Sequence, residues 1–187
     1  MGLSIFGAGV LGGLHAVKLL ACGHEVTVLA RGRRATQLRA DGLVVSEHGR
    51  GCLRARVAVI ESLDSEAFYD QVLVFVRHDQ TESVLPALAA SKATHNLLIM
   101  FNNLAGPQRL VDVLGRNRIM LGFPGPAGER EADRRVMAAV LPTLIQKTTL
   151  GELDGRSNWR IRALAAALKQ AGFPTAVLSQ LDAWLNT

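Results

Sequence analysis

The 187-residue sequence contains few aromatic side chains and few cysteines. Aromatics make up 5% of the residues, so the alternation of basic and aromatic side chains that nucleic-acid surfaces use is missing. The two cysteines, Cys22 and Cys52, and the five histidines fall at no metal-ligand spacing. We therefore expect no nucleic-acid partner, no metal and a reduced, cytoplasmic setting.

Long apolar runs are also missing. No stretch approaches the roughly 18 apolar residues of a membrane span, and the first residues do not form a signal peptide. We therefore expect no membrane association. The apolar fraction of 49% and the charged fraction of 20% are typical of a globular protein with a substantial core. The net charge of +5 comes from arginine, which supplies 17 of the 21 basic residues, and an even spread indicates coding bias rather than a partner.

The apolar patterning predicts alternating strands and helices. Strands are predicted at 2–6, 25–30, 43–47, 52–60, 71–76, 97–101, 118–122 and 144–150. Helices are predicted at 10–22, 33–41, 80–91, 105–114, 130–141, 157–171 and 179–185. The run at 71–76, which is apolar after Gln71, is typical of a parallel strand buried on both faces. This order predicts an α/β, Rossmann-type doubly wound domain with a mainly parallel sheet.

A glycine-rich motif follows the first predicted strand and begins the first helix. It consists of Gly7, Ala8, Gly9, Val10, Leu11 and Gly12. In a G-x-G-x-x-G turn, the first glycine permits the tight turn, the second lets the backbone approach a pyrophosphate, and the third lets the helix pack against the strand. The strand–turn–helix context therefore predicts dinucleotide binding at the helix N-terminus, and a bare tight turn is the alternative.

Arginines stand where the second predicted strand ends. An NAD-binding unit places a carboxylate here to accept hydrogen bonds from the ribose 2′-OH, whereas this chain has Ala30 and Arg31. A 2′-phosphate suits the planar guanidinium, so the sequence predicts NADP(H), with Arg31 as the first contact. Arg33 or Arg34 would assist. The alternative is that all three are solvated surface charges.

Five segments spread over nearly the whole chain share the layout of one family. They are IFGAGVLGGLHAVKLLACGHEVTVLAR at 5–31, DQVLVFVRHDQ at 70–80, LLIMFNNLAG at 97–106, GFPGPAGER at 122–130 and GELDG at 151–155. In this layout the chain resembles the ketopantoate reductase (2-dehydropantoate 2-reductase) family. The resemblance implies NADPH-dependent reduction of a 2-oxo acid, ketopantoate-like, to the 2-hydroxy acid, as in pantothenate biosynthesis.

The resemblance also implies further site residues. Arg77 stands at the family's lysine and Gln80 at its glutamine. Asn102 matches an asparagine that contacts both the nicotinamide cofactor and the substrate, and Asn103 replaces a glycine beside it. Ala127 matches a small residue in a loop that lines the cofactor. His78, at the end of the 71–76 strand, is either a surface loop residue or a ligand contact.

Family members continue with an all-helical domain, which carries a catalytic lysine as general acid and a substrate-binding glutamate. Both would lie beyond Thr187, so we expect residues 1–155 to form the NADP-binding domain and 156–187 a helical linker leading into a truncated second domain. We expect this chain alone to be inactive and Lys169 to be a surface helix lysine.

Two rival functions remain open at this point: a non-catalytic NADP(H) sensor, and a dehydrogenase of another hydroxy acid. Partners remain open as well. The stripe formed by Leu181, Trp184 and Leu185 packs back on the domain, forms a homodimer or contacts another domain.

Overall fold

The structure, a computed structural model, describes residues 1–47, 51–100, 106–130, 136–139 and 146–179. The strands in this part of the chain are β1 (Gly2–Phe6), β2 (Glu25–Leu29), β3 (Leu43–Glu47), β4 (Gly51–Ala55), β5 (Ala58–Ile60), β6 (Gln71–Val74), β7 (Leu97–Met100), β8 (Ile119–Phe123), β9 (Ala127–Arg130), β10 (Val136–Ala139), β11 (Thr148–Glu152) and β12 (Thr175–Leu178). The helices are α1 (Val10–Ala21), α2 (Gly32–Asp41), α3 (Thr81–Ala90), α4 (Gln108–Leu114) and α5 (Trp159–Gln170). Short 3-10 turns precede α3 and β8, at His78–Gln80 and Arg116–Arg118.

The larger sheet has eight strands in the order β12-β11-β8-β7-β6-β1-β2-β5. β1 is an interior strand, third from one edge, and pairs in parallel with both β2 and β6. Among the described strands of this sheet, the pairs are parallel except that between β8 and β11. The predicted α/β Rossmann-type fold with a mainly parallel sheet is therefore confirmed.

Helices cover both faces of this sheet, because its central strands are apolar on both sides. On one face, Leu14 of α1 and Leu164 of α5 are fully buried in one core cluster. On the other face, Leu88 of α3 and Leu110 of α4 belong to a second cluster. Each such side chain contributes roughly 1.5–3 kcal/mol when removed from water, so the two clusters together fix the helices on the sheet.

A second, four-stranded sheet has the order β4-β3-β10-β9 and packs against α1. The helix predicted at 130–141 is wrong, because Val136–Ala139 is a strand that pairs antiparallel with β9 and parallel with β3. The physical reason is that β3 offers an edge whose hydrogen-bonding groups need partners, and this non-local pairing outweighs the helical pattern of the local sequence.

The prediction of one strand at 52–60 is also wrong, because the structure has two strands there, β4 in the smaller sheet and β5 in the larger. The chain turns between them at Arg56, whose Nη1 donates hydrogen bonds to the carbonyl oxygens of Arg39 and Ala40 at 3.1 and 3.0 Å. These bonds attach the turn to the C-terminal end of α2, where carbonyl groups lack helical partners.

The described residues after 155 form helix α5 and strand β12, and β12 extends the large sheet. Asn158 caps α5, with its Oδ1 accepting a hydrogen bond from the Ile161 amide at 3.2 Å. β12, which the sequence patterning did not predict, pairs in parallel with β11. The boundary at residue 155 stays a prediction. The predicted helix at 179–185 and the stripe of Leu181, Trp184 and Leu185 lie outside the described residues.

A buried ion pair secures the GELDG segment. Glu152, at the end of β11, accepts hydrogen bonds from the Arg160 guanidinium, whose Nε lies 2.7 Å from the carboxylate. The same guanidinium donates to the Asn117 carbonyl and to Asn96. Glu152 therefore joins α5 to the edge of the sheet that lies opposite the glycine-rich turn.

Within the described residues, no helix is long and apolar enough to span a membrane.

Candidate functional site

A cleft of about 730 Å³ opens at the carboxyl ends of β1, β2 and β6. It is lined by residues 6–12, 29–31, 34, 75–77, 80, 83, 84, 100 and 128. The chain leaves β1 toward β2 on one side and returns to β6 on the other, so the strand order reverses here. Open α/β sheets bind ligands at such a switch point.

The glycine turn has the geometry that the sequence predicts. Gly7 has a φ of 111°, and a Cβ there would overlap the Phe75 carbonyl oxygen. A Cβ on Gly12 would overlap the Gly7 carbonyl oxygen and lie 3.2 Å from Ile5 Cγ2. By contrast, a Cβ on Gly9 would meet no protein atom within 4 Å. Gly7 and Gly12 are therefore required by the fold, whereas Gly9 leaves open space in the cleft.

The N-terminus of α1 faces this space with its backbone amides. Gly9 is the N-cap, and the Gly13 amide donates to the Gly9 carbonyl oxygen at 3.0 Å. The amides of Val10, Leu11 and Gly12 precede that first helical hydrogen bond, and Gly9 has no side chain to cap them. The first turn contains no acidic residue. These amides and the positive end of the helix dipole form an environment suited to a phosphate group.

Two arginines line the cleft where β2 ends. The Arg34 Nε donates to the Ala8 carbonyl oxygen at 3.1 Å, and its Nη1 donates to Gln37 Oε1 at 2.8 Å. These bonds hold the Arg34 guanidinium beside the glycine turn. The Arg31 guanidinium lies 5.8 Å from the centre of the Phe6 ring. Neither Asp nor Glu occurs among the described residues that line the cleft, so the charge at this wall is positive.

Arg77 and Gln80 lie on the opposite wall, directly after β6. The Arg77 guanidinium binds the Asp79 carboxylate through two hydrogen bonds, Nε–Oδ1 at 3.0 Å and Nη2–Oδ2 at 2.6 Å. Arg77 holds the pKa of the Asp79 carboxyl below its usual range. Arg77 was predicted as a site residue and Asp79 was not, although an acidic residue two positions further along a loop is within reach of an arginine guanidinium.

The remaining predicted residues are placed less directly. Asn102 and Asn103 lie outside the described residues. Ala127 is exposed at the start of β9, and its neighbour Gly128, rather than Ala127 itself, lines the cleft. Arg33 and His78 are exposed and do not line it. Sequence reasoning missed Ser83 and Met100, because a residue inside a helix or at a strand end carries no local signal of facing a cleft.

His15 lies beneath the cleft and is fully buried. Its ring stacks on Phe173 at 4.1 Å between centroids and lies 4.5 Å from the ring of Phe75. Its Nδ1 is 2.8 Å from the Leu11 carbonyl oxygen, which can only accept, so Nδ1 carries the proton and Nε2 is bare. Burial, the largest cause, lowers the pKa of His15 to about 4.

This burial predicts a pH dependence of folding. An unfolded His15 titrates near 6.5, so between pH 6.5 and 4 the unfolded chain binds a proton that the folded protein does not. The free energy of unfolding should therefore fall by about 3 kcal/mol as the pH drops through this window, with no such loss above it. Urea unfolding from pH 4 to 8 measures the effect. His15→Phe should flatten the slope, and an unchanged slope would contradict the prediction.

Comparison with known proteins agrees with this architecture. The model of the family described as ketopantoate reductase PanE/ApbA matches residues 3–155. A 2-dehydropantoate 2-reductase of Mesorhizobium japonicum (strain LMG 29417 / CECT 9101 / MAFF 303099) is 26% identical, and the match covers 100% of this chain and 63% of that protein.

Solved structures share the fold. The 2-dehydropantoate 2-reductase of Geobacter metallireducens GS-15 superposes with a TM-score of 0.85 at 23% identity, covering 100% of this chain and 60% of that one. A ternary structure of D-mandelate dehydrogenase with NADH and anilino(oxo)acetate superposes with a TM-score of 0.81 at 19% identity, covering 99% of this chain and 59% of that one. This chain thus spans about three fifths of the length of these relatives. The family match covers most of the sequence, and the chain belongs to the ketopantoate reductase PanE/ApbA family.

Proposed function

We propose that this chain binds NADP(H) in the cleft at the carboxyl ends of β1, β2 and β6. The observation that carries the proposal is the convergence of three features on one cleft: the free amides of α1, the open space at Gly9, and the arginines after β2. The amides would hold the pyrophosphate, and Gly9 would allow its close approach. Arg31 and Arg34 would hold the 2′-phosphate.

The choice of NADP(H) over NAD(H) rests on the side chains at the end of β2 and not on the fold. The same fold carries NADH in D-mandelate dehydrogenase, so likeness of fold does not distinguish the two coenzymes. A coenzyme with a free ribose 2′-OH is usually held by a carboxylate after the second strand. This chain has Ala30 and Arg31 there, and guanidinium groups pair with phosphate through charge-assisted hydrogen bonds.

We further propose that the chain is the cofactor-binding part of an oxidoreductase that converts a 2-oxo acid to the 2-hydroxy acid, with ketopantoate as the first candidate substrate. Its relatives named 2-dehydropantoate 2-reductase support this assignment. When bound, the nicotinamide coenzyme supplies a hydride. The chain's own contribution is to bind and orient: Phe75 and Met100 line the cleft with apolar side chains, and Asn102 would contact cofactor and substrate.

Arg31→Ala tests the coenzyme assignment. Wild type should bind NADPH more tightly than NADH by calorimetry, and the variant should lose about tenfold to hundredfold in NADPH affinity, because one charge-assisted contact to the 2′-phosphate disappears. Its NADH affinity should change little. Arg33→Ala is the matched control, because Arg33 lies two residues from Arg31, is exposed and does not line the cleft.

Two results would contradict the proposal. Equal binding of NADH and NADPH by wild type would remove the role of the 2′-phosphate. Equal losses of NADPH affinity in Arg31→Ala and Arg33→Ala would show that the effect comes from the overall charge and not from a contact of Arg31. The substrate is tested by an NADPH-oxidation assay that compares ketopantoate with other 2-oxo acids. The assay uses the chain together with any further sequence of its gene.

A further inference from the structure

We propose that Asp79 tunes the affinity of the cleft: it acts as an internal counter-ion that occupies the Arg77 guanidinium and thereby lowers the affinity of the cleft for anionic ligands. The inference rests on the proposed function, because NADPH is the anionic ligand concerned.

The position of the pair suggests this role. Arg77 lines the cleft, and Asp79 follows it in the 3-10 turn that leads from β6 to α3. Gln80 and Ser83, which come next in the chain, also line the cleft. The Arg77 side chain is 79% exposed, so its guanidinium is accessible to a ligand once the carboxylate leaves.

The geometry of the pair resembles that of ligand recognition. Asp79 accepts two parallel hydrogen bonds, from Nε and from Nη2 of Arg77. A phosphate or a carboxylate ligand would use the same two donors in the same arrangement. Asp79 therefore occupies the position that an anion would take, and binding of the anion requires exchange of one oxyanion for another.

This exchange costs little free energy because the Arg77–Asp79 pair is exposed. Ion pairs between solvent-exposed side chains contribute little, since water screens both charges. The hydrogen bonds from Arg77 lower the pKa of Asp79, so the carboxylate stays charged at neutral pH. The Asp79 carboxylate is therefore always charged but weakly bound, so it reduces the affinity of Arg77 for an anionic ligand without preventing binding.

The chain offers a matched control. Glu82 and Arg109 form a second exposed pair with two hydrogen bonds, both at 2.9 Å, and neither residue lines the cleft. The exposed fractions of their side chains are 64% and 63%, close to those of the Arg77 pair. Glu82→Gln removes the same charge as Asp79→Asn from a neighbouring position, without releasing a guanidinium in the cleft.

The experiment measures NADPH affinity by calorimetry in wild type, Asp79→Asn, Glu82→Gln, Arg77→Gln and the double variant Arg77→Gln/Asp79→Asn. Asp79→Asn should bind NADPH about three- to fivefold more tightly, the range expected when an exposed ion pair no longer competes. Its affinity should also fall more steeply with salt. Glu82→Gln should stay near wild type. In the Arg77→Gln background the Asp79→Asn effect should disappear.

Each other outcome overturns the inference. An unchanged or weaker affinity in Asp79→Asn excludes competition by the carboxylate. An equal gain in Glu82→Gln, or a gain that persists without Arg77, reduces the effect to general charge. If wild type and every variant fail to bind NADPH or NADH, the proposed function fails together with the inference, and that result is distinct from binding that is insensitive to position 79. Circular dichroism of each variant checks that the fold is retained.

Discussion

Gly12→Ala should destabilise the protein by about 3 kcal/mol or more, which places it among the most damaging single-methyl additions available in this chain. The added Cβ would overlap the Gly7 carbonyl oxygen, and it would approach Ile5 Cγ2 at 3.2 Å. The obstructing atom is backbone in the turn itself, so no side-chain rotation relieves the overlap. Thermal and urea unfolding, each with and without NADPH, measure the loss.

Gly9→Ala is the matched control for this substitution. The same methyl group at Gly9 meets no protein atom within 4 Å, and Gly9 has an ordinary φ of −78°. Gly9→Ala should therefore fold with nearly wild-type stability but lose NADPH affinity, because the methyl group occupies the space intended for the pyrophosphate. Equal stability of the two variants would contradict the assigned roles, and undiminished NADPH binding by Gly9→Ala would move the pyrophosphate elsewhere.

Lys18→Met should cost about 3–5 kcal/mol of stability, the usual result of removing one partner of a buried ion pair. The Lys18 Nζ lies 2.9 and 3.0 Å from the two carboxylate oxygens of Glu47, and the two side chains are only 9% and 5% exposed. The pair joins α1 to β3, so its loss also loosens the helix that faces the cleft. Urea unfolding at pH 7 provides the measurement.

The double variant Lys18→Met/Glu47→Leu separates the cost of removing one partner from the net contribution of the pair to stability. Replacing both partners with apolar side chains should restore much of the lost stability, because no charge then remains buried. If the double variant is as unstable as Lys18→Met, the destabilisation comes from altered packing around Phe173, whose ring centre lies 5.3 Å from the Lys18 Nζ, and not from the carboxylate.

Local sequence predicted the parallel sheet and its glycine turn because both depend on short-range rules. A strand such as Gln71–Val74, which is buried throughout and apolar after Gln71, has one stable environment, the centre of a sheet covered on both faces. Likewise Gly7 and Gly12 are required by atoms of the same strand–turn–helix unit or of the adjacent strand. Arg31 was predicted to follow the strand directly, and it does line the cleft.

Features that depend on distant partners were not predicted. Val136–Ala139 is a strand because β3 and β9 supply hydrogen-bonding edges, whereas its own pattern favours a helix. β12 forms because β11 offers its edge. The stacking of His15 on Phe173 joins residues that are far apart in the sequence. The pairing of Arg77 with Asp79 is local, but it depends on side-chain directions in a 3-10 turn that the sequence pattern does not give.

The interior position of β1, between β2 and β6, has a consequence for the order in which the sheet assembles during synthesis. Leu3 pairs with Val26 on one side and with Gln71 on the other. The first edge finds its partner soon after α1 leaves the ribosome, but the second stays open until the whole of β3, β4 and β5 has been made. During that interval an apolar strand presents unpaired amides and carbonyls, the configuration most prone to association with other chains. The edge of β1 that pairs with β6 is therefore the last to be covered, and the arrival of β6 ends that exposure.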